Sequence, residues 1–207
     1  MLRLARASDV HARGALRSAN ESWLRPWNPT VPDQREPHSP VEPLITLARK
    51  SPASPYVAEA HRWLQARQGI AFCWMICYGG QLAGELSVQR IIWGSSRSAE
   101  LGYWVDRSFA GLGIMPTALA MGVDHCFQVL GLHRLEAGIR PENIPSRRVT
   151  EKLGFREEGI RVRQVHIDGA WRDHLCYAIT PEDVPGGMLS RWRNALAASR
   201  SGREHVT

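Results

Sequence analysis

The 207-residue chain is 43% hydrophobic and 22% charged, the length and composition of one folded domain, which excludes wholesale disorder, collagen-like repeats and coiled coil. Its net charge of +6 is carried almost wholly by arginine, since only Lys50 and Lys152 are lysines, yet no block of five or more Lys/Arg marks a dedicated nucleic-acid site. No run of about 18 apolar residues could cross a membrane, and the first residues lack a signal peptide's apolar core, so the sequence predicts a soluble, cytoplasmic protein.

Leu2 and Leu4 alternate in residues 1–7, a candidate first strand, and Ser8 or Asp9 can cap a helix running to about Ala19. Eight of the thirteen prolines then fall between Pro26 and Pro55, which excludes a continuous helix or a central strand there. Trp23 and Trp27 predict that this loop, about 26–55, packs on something. Val57, Ala60, Trp63 and Leu64 have helical spacing over Tyr56–Gln68.

The middle of the chain reads as a three-strand antiparallel meander. Ile70–Tyr78 is almost continuously apolar, as a strand covered on both faces should be. After Gly79-Gly80, residues Leu82, Gly84, Leu86 and Val88 alternate with Ala83, Glu85, Ser87 and Gln89. A third strand follows Gly94-Ser95-Ser96, with Ala99, Leu101, Tyr103 and Val105 on one face and Glu100, Gly102 and Trp104 on the other.

The rhythm then changes. Pro116 suits the first turn of a helix whose stripe is Leu119, Val123, Cys126, Phe127 and Leu130, ended by Gly131. Arg134–Arg140 is a short strand, and Asn143 caps a helix through Leu153 that Gly154 stops and Phe155 closes. Strands at about Glu158–Ile167 and Ala170–Ile179 are joined by Asp168-Gly169, a type I′ turn signal, with a bulge expected near Arg163-Gln164. Met188, Leu189, Trp192 and Leu196 predict an amphipathic last helix, followed by a loose tail over 200–207. Cys73, Cys77, Cys126 and Cys176 show no zinc-ligand spacing and read as small buried hydrophobes, and the scattered histidines suggest no metal site.

One segment points to chemistry. Between the third strand and the next helix lies Ala110-Gly111-Leu112-Gly113-Ile114-Met115-Pro116. Two glycines at a helix start allow close backbone approach, and the free N–H groups with the helix dipole suit a pyrophosphate. No Gly-Lys-Ser/Thr follows, so this is not a P-loop, and the hairpin-joined strands before it are not a dinucleotide-binding βαβ unit. With Arg140-Pro141-Glu142-Asn143-Ile144-Pro145-Ser146, Glu151-Lys152-Leu153-Gly154-Phe155 and Asp168-Gly169-Ala170-Trp171-Arg172-Asp173, and with this element order, residues 2 to about 180 resemble the GNAT acyl-CoA N-acyltransferases. The last three motifs resemble the RimJ/RimL branch, which acetylates ribosomal-protein N-termini.

The resemblance implies an α+β fold: a mixed, mostly antiparallel central sheet with helices on both faces, as a single domain over 1–180 with a C-terminal helix and tail over 181–207. It implies acetyl-CoA as co-substrate, bound by Gly111, Leu112, Gly113, Ile114, Met115, Pro116 and Thr117, by the strand edge Tyr103-Trp104-Val105, and by Asn143. Ala110 and Met115 depart from the family's Gln/Arg-Gly-x-Gly-x-Gly/Ala pattern. The backbone positions Gly111 and Gly113 are kept.

Transfer of an acyl group to an amine needs a proton acceptor for the amine and stabilisation of the departing thiolate. Glu100 shares a face with Gly102 and Trp104, a partly apolar setting suited to a base. In the family the thiolate's donor is often a tyrosine at the position held here by Thr150, while Ser146 matches the serine of the RimJ/RimL branch. Tyr103, Asp173 and His174 are further candidates. The acceptor is expected to be an N-terminal α-amine, with a ribosomal protein as the implied partner, and the protein a monomer or homodimer. A small amine or antibiotic is the alternative acceptor, and a non-catalytic acyl-CoA-binding module is the alternative of another class.

Overall fold

The computed structural model describes residues 1–32 and 55–204. Most of the Pro-rich stretch, and residues 205–207, therefore lie outside the described residues. In chain order the elements are β1 (Leu2–Leu4), α1 (Val10–Ala19), α2 (Glu21–Leu24), α3 (Pro55–Arg67), β2 (Phe72–Tyr78), β3 (Gln81–Ile92), β4 (Ser98–Val105), α4 (Ile114–Gln128), β5 (Arg134–Ile139), α5 (Ile144–Leu153), β6 (Arg156–Ile167), β7 (Ala170–Ile179) and α6 (Met188–Glu204).

The seven strands form one sheet in the order β1-β2-β3-β4-β5-β7-β6. Every neighbouring pair is antiparallel except β4 and β5. That parallel pair is short: Ser98, Ala99 and Glu100 match Arg134, Leu135 and Glu136, and the pairing goes no further. Beyond Glu100 and Glu136 the two strands part, leaving a V-shaped opening in the middle of the sheet.

The core lies on the α4 side. Leu86, Val88, Leu119, Ala120, Val123, Leu135 and Ile179 are fully buried there, and Met188 and Trp192 of α6 join the same cluster. Asp124 of α4 accepts the N–H groups of Met188 (2.6 Å) and Leu189 (3.0 Å), which caps α6 and fixes it to the core.

Local signals explain most boundaries. Asn143 caps α5 by accepting the Ser146 N–H at 3.2 Å. Gly154 (φ 78°) ends it with the Gly154 N–H on Glu151 O and the Phe155 N–H on Thr150 O, a Schellman close over buried Phe155. Asp168 and Gly169 both have positive φ, as a type I′ turn requires. The expected bulge is present, as the β6–β7 register shifts between Arg161 and Val165 while Asp173 Oδ1 accepts the Arg163 N–H at 2.7 Å.

Four expectations need correction. The first strand of the meander begins at Phe72, because Ile70 closes α3 by donating its N–H to Gln65 O. Asp9 does not cap α1 with its side chain; it accepts the Arg6 N–H at 2.8 Å and the Arg3 guanidinium, stabilising a 3-10 turn one step earlier. Residues 200–204 continue α6 rather than forming a loose tail. Of the four cysteines only Cys126 is fully buried, and the others are half-buried.

Candidate active site

A cleft of about 1410 Å³ runs through the V and reaches both faces of the sheet. On the α4/α5 side it is lined by the glycine loop and by Asn143, Ser146 and Val149. On the α1/α2 side it is lined by Glu100, Gly102, Trp104, Trp27 and His174, among others.

The glycine loop has the conformation its sequence demands. Gly111 (φ 81°) and Gly113 (φ 76°) are both left-handed, and Gly113 is the N-cap of α4. The first-turn N–H groups of a helix have no intrahelical acceptor, so the loop and the start of α4 offer donors to an anion. A Cβ placed on Gly111 would meet nothing within 4 Å, so the space beside it is open to a ligand. The residues present thus fit a pyrophosphate. Ala110, Gly111, Gly113, Ile114, Met115 and Pro116 line the main cleft; Leu112 and Thr117 do not, and face a second hollow beside Met1 and Tyr78 instead. The Thr117 hydroxyl is already engaged, donating to Gly113 O at 2.8 Å and accepting from Trp192 Nε1 at 2.9 Å. Thr117 therefore holds the loop in shape from behind. Met115, one of the two departures from the family pattern, is buried in the core.

Ser146 and Tyr103 meet across the V. Ser146 Oγ donates to Tyr103 Oη at 3.0 Å, and Tyr103 Oη donates to Ser146 O at 3.3 Å. Burial raises the phenol's pKa above its ordinary value, so Tyr103 is a neutral hydroxyl at physiological pH. Thr150 is fully buried, does not line the cleft, and its hydroxyl donates to Arg147 O at 2.8 Å. At the strand edge, Val105 O accepts Trp23 Nε1 at 3.3 Å, so one of the carbonyls expected to face the cofactor arm already holds a side chain.

Glu100 sits at the apex of the V opposite Glu136. Its setting is ionic rather than apolar: Arg90 Nη1 lies 3.1 Å and Arg161 Nη1 3.9 Å from Oε1, and its side chain is 37% exposed. Glu136 is bound more tightly, by Arg134 at 2.8 Å and Arg161 at 2.7 Å. Burial opposes its charge, but these bonds still hold its carboxyl below the usual range.

The sequence reading missed two features. The first is a strap, residues 20–30, that crosses the open end of the V. Asn20 bonds Asp106 Oδ2 (3.0 Å) and the Arg107 N–H (3.0 Å) beside β4, while Pro26 O accepts Arg140 Nη1 (2.7 Å) and Thr30 N–H donates to His166 O (2.8 Å) on the far arm. Arginines stack on its tryptophans, Arg107 over Trp23 at 6.0 Å and Arg140 over Trp27 at 5.5 Å. The only signal for it was two tryptophans beside prolines. The second is the part β6 and β7 play in the cleft: Gln164, from the bulge, and His174 both approach Gly138 of β5, each 3.8 Å from where its Cβ would stand. Burial and the charge of Arg140 lower the pKa of His174, and its Nδ1 lies 3.1 Å from Arg172 O. Asp173 is spent on the bulge.

A family model described as an acetyltransferase (GNAT) domain matches residues 1–156. The chain belongs to the GNAT acetyltransferases. Among similar proteins, the E. coli [ribosomal protein uS5]-alanine N-acetyltransferase is 31% identical over 185 residues, 86% of this chain and 88% of that one. The probable N-acetyltransferase YjcK of Bacillus subtilis is 45% identical over 104 residues, which are 50% of this chain and 58% of YjcK. Among solved structures, Mycobacterium smegmatis RimJ in complex with CoA-disulfide superposes with a TM-score of 0.81 at 39% identity, covering 96% of this chain and 88% of that one. For this GNAT chain the co-substrate is acetyl-CoA.

Proposed function

We propose that the protein transfers acetyl from acetyl-CoA to the N-terminal α-amine of a protein, with a ribosomal protein as acceptor, by direct transfer in a ternary complex. The observation that carries this reading is the V between β4 and β5, open to an anion-binding loop on one face and to a polar wall on the other. The name of the E. coli relative, a ribosomal-protein alanine N-acetyltransferase, supports the choice of acceptor.

Bound at the loop, acetyl-CoA supplies an activated thioester carbonyl. Gly111 and Gly113 hold the phosphates through backbone N–H groups, with Asn143 at the edge of the cofactor arm. Glu100, on the acceptor face, takes the proton that the amine loses as its nitrogen forms the new C–N bond, directly or through water. An α-amine with a pKa of about 7.7–8.0 is partly neutral at physiological pH, so a modest base suffices. Ser146, on the cofactor face, turns its hydroxyl from Tyr103 to the sulfur as the C–S bond breaks. Tyr103 positions Ser146 through their two mutual hydrogen bonds.

The test is CoA release measured with N-terminal peptides of ribosomal proteins, internal-lysine peptides and small amines including spermidine. Turnover confined to the small amines would refute the proposed acceptor.

A further inference from the structure

Two buried polar atoms on the acceptor side of the cleft have no hydrogen-bond partner among the described residues: Trp104 Nε1, a donor, and Gln164 Oε1, an acceptor. A buried polar group without a partner is uncommon and calls for an explanation, because the folded protein forfeits a bond that water would give the unfolded chain. A third such atom, Glu85 Oε2, is explained at once by the Arg13 guanidinium 2.5 Å away. The remaining two both line the cleft.

Their positions are complementary. Trp104 stands on the β4 arm of the V, four residues beyond the last β4–β5 pair, on the face that also carries Glu100 and Gly102. Gln164 belongs to the β6 bulge and reaches over Gly138 of the β5 arm, where a Cβ would come within 3.8 Å of its Oε1. An exposed arginine, Arg17, lies over the Trp104 ring at 5.8 Å and is held by Asn28 of the strap at 3.3 Å. One donor on one arm and one acceptor on the other, beside the opening that the amine must enter, make a pair suited to a peptide unit.

We infer that Trp104 Nε1 and Gln164 Oε1 read the main chain of the acceptor: the indole N–H donates to the carbonyl of its first residue, and Gln164 Oε1 accepts the N–H of its second. This inference rests on the N-terminal acceptor proposed above and deepens it, because it names the chemistry that is selected. An indole N–H can be satisfied only by an acceptor atom, and a polyamine offers no carbonyl. A peptide terminus offers both a carbonyl and an amide N–H at fixed spacing.

The experiment uses the full chain, saturating acetyl-CoA, and two acceptors: an alanine-initiated tetrapeptide amide and its analogue with a trans-alkene in place of the first peptide bond, which lacks the carbonyl and the amide N–H and adds no charge. The variants are Trp104→Phe and Gln164→Leu, each removing the polar atom and keeping an apolar side chain. Wild type should prefer the intact peptide over the alkene analogue by about 10-fold or more in kcat/KM, the worth of the hydrogen bonds the analogue cannot make. Trp104→Phe should narrow that preference by falling on the intact peptide alone, with the KM for acetyl-CoA unchanged. Gln164→Leu should raise the peptide KM about 10-fold with kcat nearly kept. If Trp104→Phe slows both acceptors equally, or neither, the indole has no such role and the inference is overturned. If wild type acetylates neither acceptor yet is stabilised by acetyl-CoA, the N-terminal acceptor itself is wrong and this inference falls with it.

Discussion

Replacing Ser146 by alanine isolates what the protein does for the leaving thiolate. The substitution removes one hydroxyl that donates to Tyr103 Oη at 3.0 Å, and it leaves both the Asn143 cap on the residue-146 N–H and the bond from Tyr103 Oη to the residue-146 carbonyl. Stability should therefore change by about 1 kcal/mol at most, the net worth of one half-buried neutral bond. A bond to a developing thiolate is charge-assisted and worth about 1.5–3 kcal/mol, so kcat should fall roughly 10- to 150-fold with the acetyl-CoA KM kept. Thr150→Ala is the internal control. It empties a buried site and unmakes a bond within α5, so it should cost about 1–2 kcal/mol in denaturant unfolding yet leave kcat within about 2-fold. Steady-state CoA release at pH 8, alongside urea melts of both variants, measures all five quantities. A Ser146→Ala enzyme as fast as wild type would show that the thiolate departs without help from α5. A slow Thr150→Ala enzyme with a normal Ser146→Ala enzyme would place the donor one helical turn away from where the geometry puts it.

The same cleft yields three further expectations. Glu100→Gln should lower kcat about 10²- to 10⁴-fold at pH 7 while acetyl-CoA affinity stays within about 2-fold, and an unchanged rate would move the proton to another group or to water. Gly113→Val should abolish the rise in melting temperature that acetyl-CoA gives wild type, since a β-branched residue is strained at φ 76° and would dislodge the N-cap of α4; a normal ligand shift in a folded variant would refute the anion site. Because the folded pKa of His174 lies below its ordinary value of about 6.5, its contribution to stability is complete above that pH and is lost as pH falls through the folded value. Urea midpoints measured between pH 7.5 and 5 should therefore drop more steeply for wild type than for His174→Gln, by up to about 1.4 kcal/mol per pH unit, and parallel curves would contradict this.

Signals that act within a few residues were legible from sequence. Asn143, Gly154 and Asp168-Gly169 each fix a local backbone geometry, and the structure has all three where the residue types require them. The glycine loop belongs to this class, because positive φ at Gly111 and Gly113 is a property of those residues alone. Legibility fails where a role depends on contacts between distant segments. Thr117 follows the loop in sequence, but its hydroxyl is engaged by Gly113 O and by Trp192 Nε1, seventy-five residues later, a partner that adjacency could not reveal. Glu100 was assigned a partly apolar setting from its strand neighbours, whereas its setting is decided by Arg90 and Arg161, one on each flanking side of the sheet. Trp23 and Trp27 signalled a packed segment but not its destination, because nothing local to residues 20–30 encodes the carbonyl of Val105 or the guanidinium of Arg140.

The strap also bears on how chemistry and selectivity are divided in this fold. A parallel pair that stops after three residues leaves two strand edges with free N–H and C=O groups, which would invite pairing with another chain unless something covers them. Covering them with a strand of the same sheet would close the V and destroy the site. Residues 20–30 avoid this by touching the arms at their far ends, Val105 to Arg107 on one and Arg140 with His166 on the other, so the apex at Glu100 and Glu136 stays open. The groups proposed to react, Glu100 and Ser146, sit on β4 and α5, held by sheet and helix hydrogen bonds. The walls that an acceptor would touch come from the strap, held by side-chain contacts and by the Thr30 N–H on His166 O, and from the β6 bulge, where the ladder with β7 is interrupted. Substitutions at the Trp27 end of the strap should therefore alter the choice of acceptor before they alter the affinity for acetyl-CoA, since that end bonds Arg140 and His166, whereas the Asn20 end holds Asp106 and Arg107 at the turn leading into the glycine loop.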